Sequence, residues 1–275
     1  MELEQHELYK PATKCRIYAW PLEQLYFGPI PELSIVQYSS PVLRLGIGGY
    51  FYLRFNQGPW VKCHCIFIPA GVTHEVFPAK GVIAKYWVEK ESVHYPLFCE
   101  QLLSSSENIE NQKFKKRIAA VFQHIYENEL SSEKTIVHLD KLFHFRGSVK
   151  QLVDPRILKI SEIIRSQLDY NFSIEYLASE VDLSPSRLLH LIKEETGTSY
   201  RKFRMWQRLK YAISIFGSTH SLTYAGLEAG FNDASHFSRC FKARYGVSPS
   251  VIHNVLEMYE VSGDERKKGF CRICG

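Results

Sequence analysis

Two sets of polar side chains, 49 positions apart, could make hydrogen bonds to the edges of DNA bases. Each set shares one helical spacing of a serine, a longer basic or imidazole side chain and a lysine: Ser186, His190 and Lys193, then Ser235, Arg239 and Lys242. At the helical period these positions fall on one side of a helix. Hydroxyl, imidazole and guanidinium groups on such a side suit the donor and acceptor pattern of the major groove.

The apolar residues around these two sets repeat at the same distance along the chain. Leu188, Leu191, Ile192 and Gly197 in the first unit correspond to Phe237, Cys240, Phe241 and Gly246 in the second. Apolar side chains at spacings of three and four predict a helix packed on a core, and the glycine predicts its C-cap. The sequence thus predicts two half-exposed helices, at about 185–196 and 233–245.

A shorter helix and a tight turn precede each of these helices. In the first unit Ser173 and Ser184-Pro185 are N-cap signals, and Asp182 can adopt positive φ at low cost in the turn. Ala178 leaves room for two helices to cross. The second unit runs from Leu222 through Gly230 into its own exposed helix. The pattern indicates a duplicated helix-turn-helix.

A longer predicted helix, Ser199–Phe216, joins the two units. Its residues at core spacing are Phe203, Trp206, Leu209, Ala212 and Ile213. At ~1.5 Å per residue it would span roughly 27 Å. Two recognition helices held by such a rod could lie about one turn of DNA apart, roughly 34 Å.

Composition and charge agree with a globular protein that meets a polyanion through one region. The chain has 275 residues, 45% of them hydrophobic and 23% charged, with a formal net charge of +5. Residues 155–253 hold 13 Lys and Arg against 9 Asp and Glu, an excess of 4. Part of that excess is one basic run: Arg201, Lys202, Arg204, Arg208 and Lys210.

The first ninety residues carry the signals of strands. Short β-branched and aromatic runs alternate with Gly, Pro and Asn, which is typical of a small antiparallel sandwich or barrel. The predicted strands are Leu33–Tyr38, Val42–Ile47, Tyr50–Phe55, Val61–Ile68 and Val82–Val88.

A predicted amphipathic helix, Gln112–Asn128, follows a polar loop at 102–111, and a weaker boundary lies at 147–153. The helix could pair with a second copy of the chain or pack on its own barrel. We therefore predict an α+β multidomain protein. Its parts are a β-rich cupin-like regulatory domain (1–91), a helical connector (92–153), an all-α domain with two helix-turn-helix motifs (154–255) and a C-terminal tail (256–275).

The duplicated unit resembles the AraC/XylS family of bacterial transcription regulators. The second motif carries Gly230-Phe231, then Ser235-x-Phe237-Ser238-Arg239-x-Phe241-Lys242, then Gly246-x-x-Pro249. The first motif is similar through Leu177-Ala178, Leu188 and Glu195-Thr196-Gly197. Departures are Ala225-Gly226, which we expect to loosen the second motif's first helix, and Ile252-His253.

The resemblance implies that two recognition helices enter successive major grooves of double-stranded DNA. Carried over by position, the base-reading candidates are Ser186, Leu189, His190, Ala234, Ser235, His236 and Arg239. The candidates for phosphate contacts are Arg187, Lys193, Arg201, Lys202, Arg204 and Lys242. Phosphate contacts position a protein on DNA but do not read its sequence.

The segment Phe67-Ile-Pro69-Ala-Gly71-Val-Thr-His74-Glu75 resembles the second cupin motif. Cys65 stands where that motif usually has Asp, and the first cupin motif is missing. A catalytic metal needs about three protein ligands, and only His74, with help from Glu75 or His64, is a candidate. We therefore expect no catalytic residue, metal or cofactor. The resemblance to the AraC/XylS family implies a barrel that binds a small effector. The alternative is a cupin-type metalloenzyme with an accessory DNA-binding domain.

The seven cysteines and the N-terminus point to a reducing compartment. Cys63-His-Cys65 and Cys271-Arg-Ile-Cys274 have metal- or redox-like spacing, but two isolated pairs are not a known ligand set. The sequence shows neither an export signal nor an apolar run of about 20 residues. We expect a cytoplasmic regulator, away from membranes, with RNA polymerase as a partner and a homodimer as a further option.

Overall fold

Runs rich in β-branched and aromatic residues form the strands of the N-terminal part of the chain. The computed structural model describes residues 15–20, 22–29, 34–77, 81–102, 109–143, 153–168, 170–219, 221–246, 248–249 and 256–258. Its strands are β1 (Cys15–Ala19), β2 (Glu23–Gly28), β3 (Ser34–Val36), β4 (Val42–Ile47), β5 (Phe51–Phe55), β6 (Val61–Cys63), β7 (Cys65–Ile68), β8 (His74–Phe77), β9 (Val82–Val88) and β10 (Leu256–Met258).

The strands form two sheets that enclose the barrel interior. One sheet has six strands in the order β10-β1-β2-β9-β4-β7, and the other has four in the order β3-β8-β5-β6. The β1–β10 pair is parallel, whereas the other pairs are antiparallel. Every residue of β9 is buried, because that strand is covered on both of its faces.

Three helices cover the outer face of the six-stranded sheet: α1 (Tyr95–Leu102), α2 (Ile109–Glu127) and α3 (Ser132–Phe143). Ile118, Phe122 and Ile125 of α2 are 0% exposed and belong to one core with the sheet. The apolar side of the predicted Gln112–Asn128 helix therefore packs on its own barrel, which was one of the two alternatives.

The C-terminal part is helical, and the N-caps predicted at Ser173 and Ser184 are present. Its helices are α4 (Pro155–Ser166), α5 (Ile174–Ser179), α6 (Pro185–Thr196), α7 (Tyr200–Thr219), α8 (Leu222–Glu228) and α9 (Ala234–Tyr245). The side chains of Asp154, Ser173 and Ser184 each accept a hydrogen bond from a backbone N–H in the first turn of α4, α5 and α6. These bonds satisfy donors that have no partner within the helix.

The cores show how the two parts of the chain are joined. The first helix-turn-helix has its own core with α4 and the start of α7. The second shares a core with the barrel interior, in which Tyr38 and Trp87 lie with Trp206, Phe241 and Tyr245. The barrel and the second motif are therefore packed on each other as layers of one core.

The structure differs from the sequence prediction at several places. Strands β1, β2 and β8 and helices α1 and α3 were not predicted as elements, and α7 continues to Thr219. The predicted Val61–Ile68 strand is broken at His64, because β6 pairs with β5 in one sheet and β7 pairs with β4 in the other.

Part of the predicted tail is structured, since Leu256–Met258 pairs with β1. Most of the predicted polar loop (103–108), the boundary at 147–152, Ile252-His253, and Cys271 and Cys274 lie outside the described residues. In the part of the chain that the structure describes, no helix combines the length and apolar character that crossing a membrane requires.

Candidate nucleic-acid interface

The first helix-turn-helix is built from α5, a tight turn and α6. Asp182 lies in the turn with φ of 53°, the conformation predicted for it. Ala178, 1% exposed, lies in the core formed with α6, and Gly197 ends α6 with φ of 68°. The small residue lets the helices approach closely, and the two left-handed residues set where α6 begins and ends.

Helix α6 has the predicted division into a buried and an exposed side. Leu188, Leu191 and Ile192 are at most 4% exposed. The residues predicted to face DNA are all exposed: Ser186, Arg187, Leu189, His190 and Lys193. The Arg187 guanidinium contacts the Glu194 carboxylate at 3.3 Å. Because this pair is solvent-exposed, it holds the arginine only weakly.

The second helix-turn-helix, α8 and α9, repeats this arrangement. The side chain of Asp233 accepts a hydrogen bond from the backbone N–H of His236 at 2.7 Å, and Gly246 closes α9 with φ of 82°. Ala234, Ser235 and Arg239 are exposed. His236 is half-buried, with its ring centroid 5.3 Å from that of Phe231.

Gly226 in α8 lies directly against α9. A Cβ atom at this position would lie 2.7 Å from Cγ of Phe237. The glycine thus allows the two helices to pack closely, and the short helix forms from Leu222 to Glu228. The expectation that Ala225-Gly226 loosens this helix finds no counterpart in its packing, since Ala225 is 0% exposed.

Helix α7 connects the two motifs and takes part in both cores. Phe203 packs in the core of the first motif, whereas Trp206, Leu209 and Ile213 pack in the core of the second. With 20 residues, α7 is roughly 30 Å long. A helix fixed at both ends in this way holds the two motifs at a set separation.

The basic run at the start of α7 does not form one surface. Arg201 and Lys202 are exposed, and Lys202 Nζ donates to Oε1 of Gln37 at 2.6 Å. Arg204 is half-buried, with its guanidinium 5.7 Å from the ring of Tyr200. Arg201 and Lys202 are therefore accessible to solvent, and Arg204 is partly so.

The other two cations of that run are structural. Arg208 Nε donates to the Leu168 carbonyl at 2.6 Å, and Lys210 Nζ contacts the Glu89 carboxylate at 3.0 Å. Both basic side chains are less than 9% exposed, so they hold the fold together. Part of the charge excess counted from the sequence is therefore inside the molecule.

The C-terminal ends of both recognition helices rest on the barrel. Glu195 at the end of α6 pairs with Lys90 at 3.2 Å. At the end of α9, the carbonyl of Tyr245 accepts from Lys85 Nζ at 2.7 Å, and the carbonyl of Arg244 accepts from the Tyr38 hydroxyl at 3.0 Å. The predicted base-reading residues nearer the N-terminal ends are exposed, apart from the half-buried His236.

Sequence reasoning did not single out these barrel residues. Lys85 and Arg44 stand inside the apolar runs of β9 and β4, and both are at most 2% exposed. A charged residue inside such a run was the available signal, since Lys and Arg are rarely fully buried without a partner.

The cupin-like segment places His74 inside the barrel, at the start of β8. Its Nδ1 lies 3.0 Å from the Val72 carbonyl, and its Nε2 lies 3.1 Å from Nη2 of Arg44. Burial, reinforced by the charge of Arg44, lowers the pKa of His74 to about 3. The ring is therefore neutral, and its Nε2 accepts from the guanidinium.

The other ligands considered for His74 are engaged elsewhere. Glu75 pairs with Arg54 at 2.6 Å, and His64 Nδ1 lies 3.0 Å from the Gly49 carbonyl. Among the residues with assigned positions, no three His, Cys, Asp or Glu side chains come together as a metal site. Burial raises the pKa of Cys63, and it raises that of Cys65 to about 12, so both are thiols.

Comparison with known proteins finds a family match in the C-terminal region and relatives of differing extent. Residues 177–254 match a family model described as a helix-turn-helix domain. The arabinose operon regulatory protein of Escherichia coli is 38% identical over 100 residues, which are 36% of this chain and 34% of that protein. The transcriptional activator RhrA of Rhizobium meliloti is 24% identical over 257 residues, covering 82% of this chain and 81% of RhrA.

Solved structures resemble the whole fold. ToxT from Vibrio cholerae O395 has a TM-score of 0.56 at 15% identity, and the match covers 86% of this chain and 99% of ToxT. A ToxT structure with bound unsaturated fatty acid has a TM-score of 0.54 at 12% identity, covering 87% of this chain and 97% of that one. At these identities the likeness shows the fold alone. The first curated relatives match this chain over about a third of their length.

Proposed function

We propose that this chain, whose residues 177–254 match a helix-turn-helix domain model, is a transcription regulator of the AraC/XylS type that binds promoter DNA through both of its helix-turn-helix motifs. One observation carries the proposal: α6 and α9 are capped in the same way, and each has an exposed N-terminal half. Helix α7 fixes the distance between them. Two such helices suit successive major grooves of one duplex.

Within this proposal the side chains of the two motifs and of α7 divide into two roles. Base edges are read by Ser186, Leu189, His190, Ala234, Ser235, His236 and Arg239. Phosphates are contacted by Arg187, Lys193, Arg201, Lys202, Arg204 and Lys242. Arg239 is the best reader of a guanine because a guanidinium can donate two hydrogen bonds to O6 and N7.

The N-terminal part is proposed to regulate DNA binding. We assign residues 1–91 to effector binding, 92–153 to a connector, 154–255 to DNA binding and 256–275 to a tail. The shared core of the barrel and the second motif supports a coupling between effector and DNA. An effector that prefers one arrangement of the two parts shifts their populations, and DNA affinity changes with them.

The fatty acid in one ToxT structure supports a small-molecule effector for a protein of this fold. RNA polymerase, a second copy of the chain and a cytoplasmic location complete the proposal. The relatives named above are regulators of transcription or of an operon.

Selection of binding sites from random double-stranded DNA tests the proposal directly. The full chain should enrich one asymmetric site with two conserved blocks, about 10 base pairs apart from centre to centre. Enrichment without any sequence preference would contradict it, because phosphate contacts alone would then account for binding.

A further inference from the structure

Two histidine side chains from different helices meet on the outer surface of the connector. His124 lies in the last turn of α2 and His138 lies in the middle of α3, and their ring centroids are 5.2 Å apart. His124 is exposed and His138 is half-buried, so water reaches both rings. Imidazole is the commonest protein ligand of metal ions. This pair is therefore a candidate site that is separate from the proposed DNA-binding surface.

The backbone that carries the two histidines is fixed by buried neighbours. The residues that follow them in the chain, Ile125 and Leu139, are both 0% exposed and lie in the core shared with the barrel. The turn between the helices is also anchored, because the Tyr18 hydroxyl donates to the Leu130 carbonyl at 2.9 Å. Ligands carried by helices that are held in this way form a site with little further ordering.

The separation of the rings suits two imidazoles bound to one metal ion. A ring nitrogen binds Zn²⁺ at about 2.0–2.1 Å with tetrahedral angles, which places the centroids of two such rings about 5 Å apart. The observed separation is 5.2 Å, with 66° between the ring planes. Rotation about the side-chain torsions therefore brings a nitrogen of each ring to a shared ion without movement of the helices.

Neighbouring groups favour the neutral form of the pair that binds metal. Burial lowers the pKa of His138, and the charges of His124 and Lys141 add to that effect. Asn128 orients the other ring, since its Nδ2 lies 3.0 Å from Nδ1 of His124. Nε2 of His124 is thus left for an ion, and Nδ1 then carries the ring proton, which Oδ1 of Asn128 accepts once the amide turns over. A hydrogen-bond partner on the far nitrogen is typical of metal-binding histidines.

We propose that His124 and His138 chelate one divalent transition-metal ion, which ties α2 to α3. Water supplies the other ligands, because the described residues bring no third His, Cys, Asp or Glu side chain to this pair. Imidazole ligands favour Cu²⁺, Ni²⁺ and Zn²⁺ over Mg²⁺ and Ca²⁺. Helix α3 also carries Asp140, whose Oδ1 lies 2.9 Å from Nε2 of His94. An ion held by both helices therefore strengthens a unit that is already linked to the barrel.

Equilibrium dialysis of the full chain against Ni²⁺ measures the site. Ni²⁺ is a better probe than Cu²⁺ because Cu²⁺ oxidises thiols, and the chain has seven cysteines. The wild type should bind one more Ni²⁺ ion per chain than either His124→Gln or His138→Gln, and excess Mg²⁺ should not displace that ion. Equal Ni²⁺ binding by the wild type and both variants would overturn the proposal.

The double variant distinguishes a chelate from two independent histidines. In a chelate either substitution abolishes the site, so the protein with both substitutions should bind as much Ni²⁺ as each single variant. Losses that add would contradict the proposal, because each ring would then bind an ion alone. His64→Gln removes another exposed histidine and is the matched control, which should bind Ni²⁺ like the wild type. A loss in His64→Gln as large as that in His138→Gln would place the ion elsewhere.

Hydrogen exchange shows whether the ion links the two helices. Ni²⁺ should slow exchange at residues 126–138 in the wild type and should not do so in His138→Gln. Unchanged exchange in a wild-type protein that binds Ni²⁺ would refute the link between α2 and α3. DNA selection is a separate test, since metal binding does not rest on the proposed function. A chain that binds Ni²⁺ here and selects no DNA site would overturn the regulator alone, and one that selects a DNA site without this ion would overturn the metal site alone.

Discussion

Arg239 lies on the exposed side of α9. Its neighbours Phe237 and Cys240 lie on the other side of the helix and are buried in the core. Because the buried side of α9 is packed in the core, the backbone position from which the Arg239 side chain extends is fixed. This geometry suits a residue that has to meet one base edge, because bidentate hydrogen bonding tolerates little displacement.

Replacing Arg239 by alanine should relax the preference for one base pair within the second block of the site. The expected loss is ~1–3 kcal/mol of discrimination at that position, measured as relative Kd values for the four base pairs there. The first block should keep its specificity, since α6 is untouched. A specificity profile identical to that of the wild type would remove Arg239 from the reading set.

Lys242→Ala is the matched control on the same helix. Lys242 is exposed one turn nearer the C-terminus of α9, where we assign it to a phosphate. Its removal should weaken binding to all sequences alike and lower the slope of log K against log salt by about 1. A change confined to one base position would instead show that Lys242 reads sequence.

His94 joins the connector helices to the outer face of the barrel. Its Nδ1 lies 2.8 Å from Oε1 of Glu23, and its Nε2 lies 2.9 Å from Oδ1 of Asp140 on α3. Ser92 and Tyr86 also donate to the Glu23 carboxylate. Burial lowers the pKa of His94, but the two carboxylates outweigh it, and the net pKa is raised.

A raised pKa in the folded state gives a stability that depends on pH in a known direction. The contribution of His94 should be complete below the unfolded-state pKa of about 6.5 and should be lost as pH rises through the folded-state value. In His94→Gln the difference in free energy of unfolding from wild type should therefore be largest at acidic pH. A difference that grows with rising pH would refute this account of His94.

The close packing of α8 on α9 depends on Gly226, which has no side chain. Gly226→Ala should lower stability by ~1–3 kcal/mol, because the added Cβ overlaps the Phe237 ring. Phe237→Leu in the same protein should recover part of that loss, as a smaller side chain leaves space. Urea unfolding of the two single variants and the double variant gives the coupling energy. Additive losses would mean that the two residues do not meet.

The helices of the C-terminal region could be predicted because the capping residues and the spacing of apolar residues indicate the same elements there. Caps and the apolar period agree on where α5 and α6 begin, and Gly197 and Gly246 mark the ends of α6 and α9. In the β-rich part the signals were weaker. Strand β1 carries an arginine in a run of five residues, and α1 and α3 cover a sheet that had to be known first.

The buried charged residues inside the barrel could not be predicted, because their positions depend on contacts between distant parts of the chain. Lys85 and Arg44 become neighbours only through the β4–β9 register, and Arg244 reaches them only because α9 docks on the barrel. A charge count does not reveal that any of the three is buried. Long-range pairing, which a local pattern does not encode, places them inside the molecule.

The barrel and the helical part also contact each other at a point where there is no room for side chains. Gly71 in the loop before β8 and Gly197 at the end of α6 abut through their backbones: a Cβ on Gly71 would lie 2.5 Å from the Gly197 carbonyl oxygen. Together with the α9 contacts, this fixes the C-terminal ends of both recognition helices on the barrel. Within the proposed function, we expect movement of the barrel to reach both recognition helices through these contacts.

Gly71→Ala should push apart the Gly71 and Gly197 backbones, and Gly48→Ala is the matched control. Both glycines have positive φ, 78° and 66°, but nothing lies within 4 Å of a Cβ at Gly48. Both variants should bear the same backbone cost of ~1–2 kcal/mol, and only Gly71→Ala should lose more. Hydrogen exchange at residues 195–200 should also increase in that variant alone. Equal losses in the two variants would show that the close approach contributes nothing.

The central claim is that α6 and α9 are held at a fixed separation and enter successive major grooves. Methylation protection on a selected DNA site tests this claim most directly. Guanine N7 atoms should be protected in two major-groove patches about 10 base pairs apart on one face of the duplex. Arg239→Ala should lose protection in one patch while the other persists. A single patch, or two patches on opposite faces of the duplex, would contradict the account.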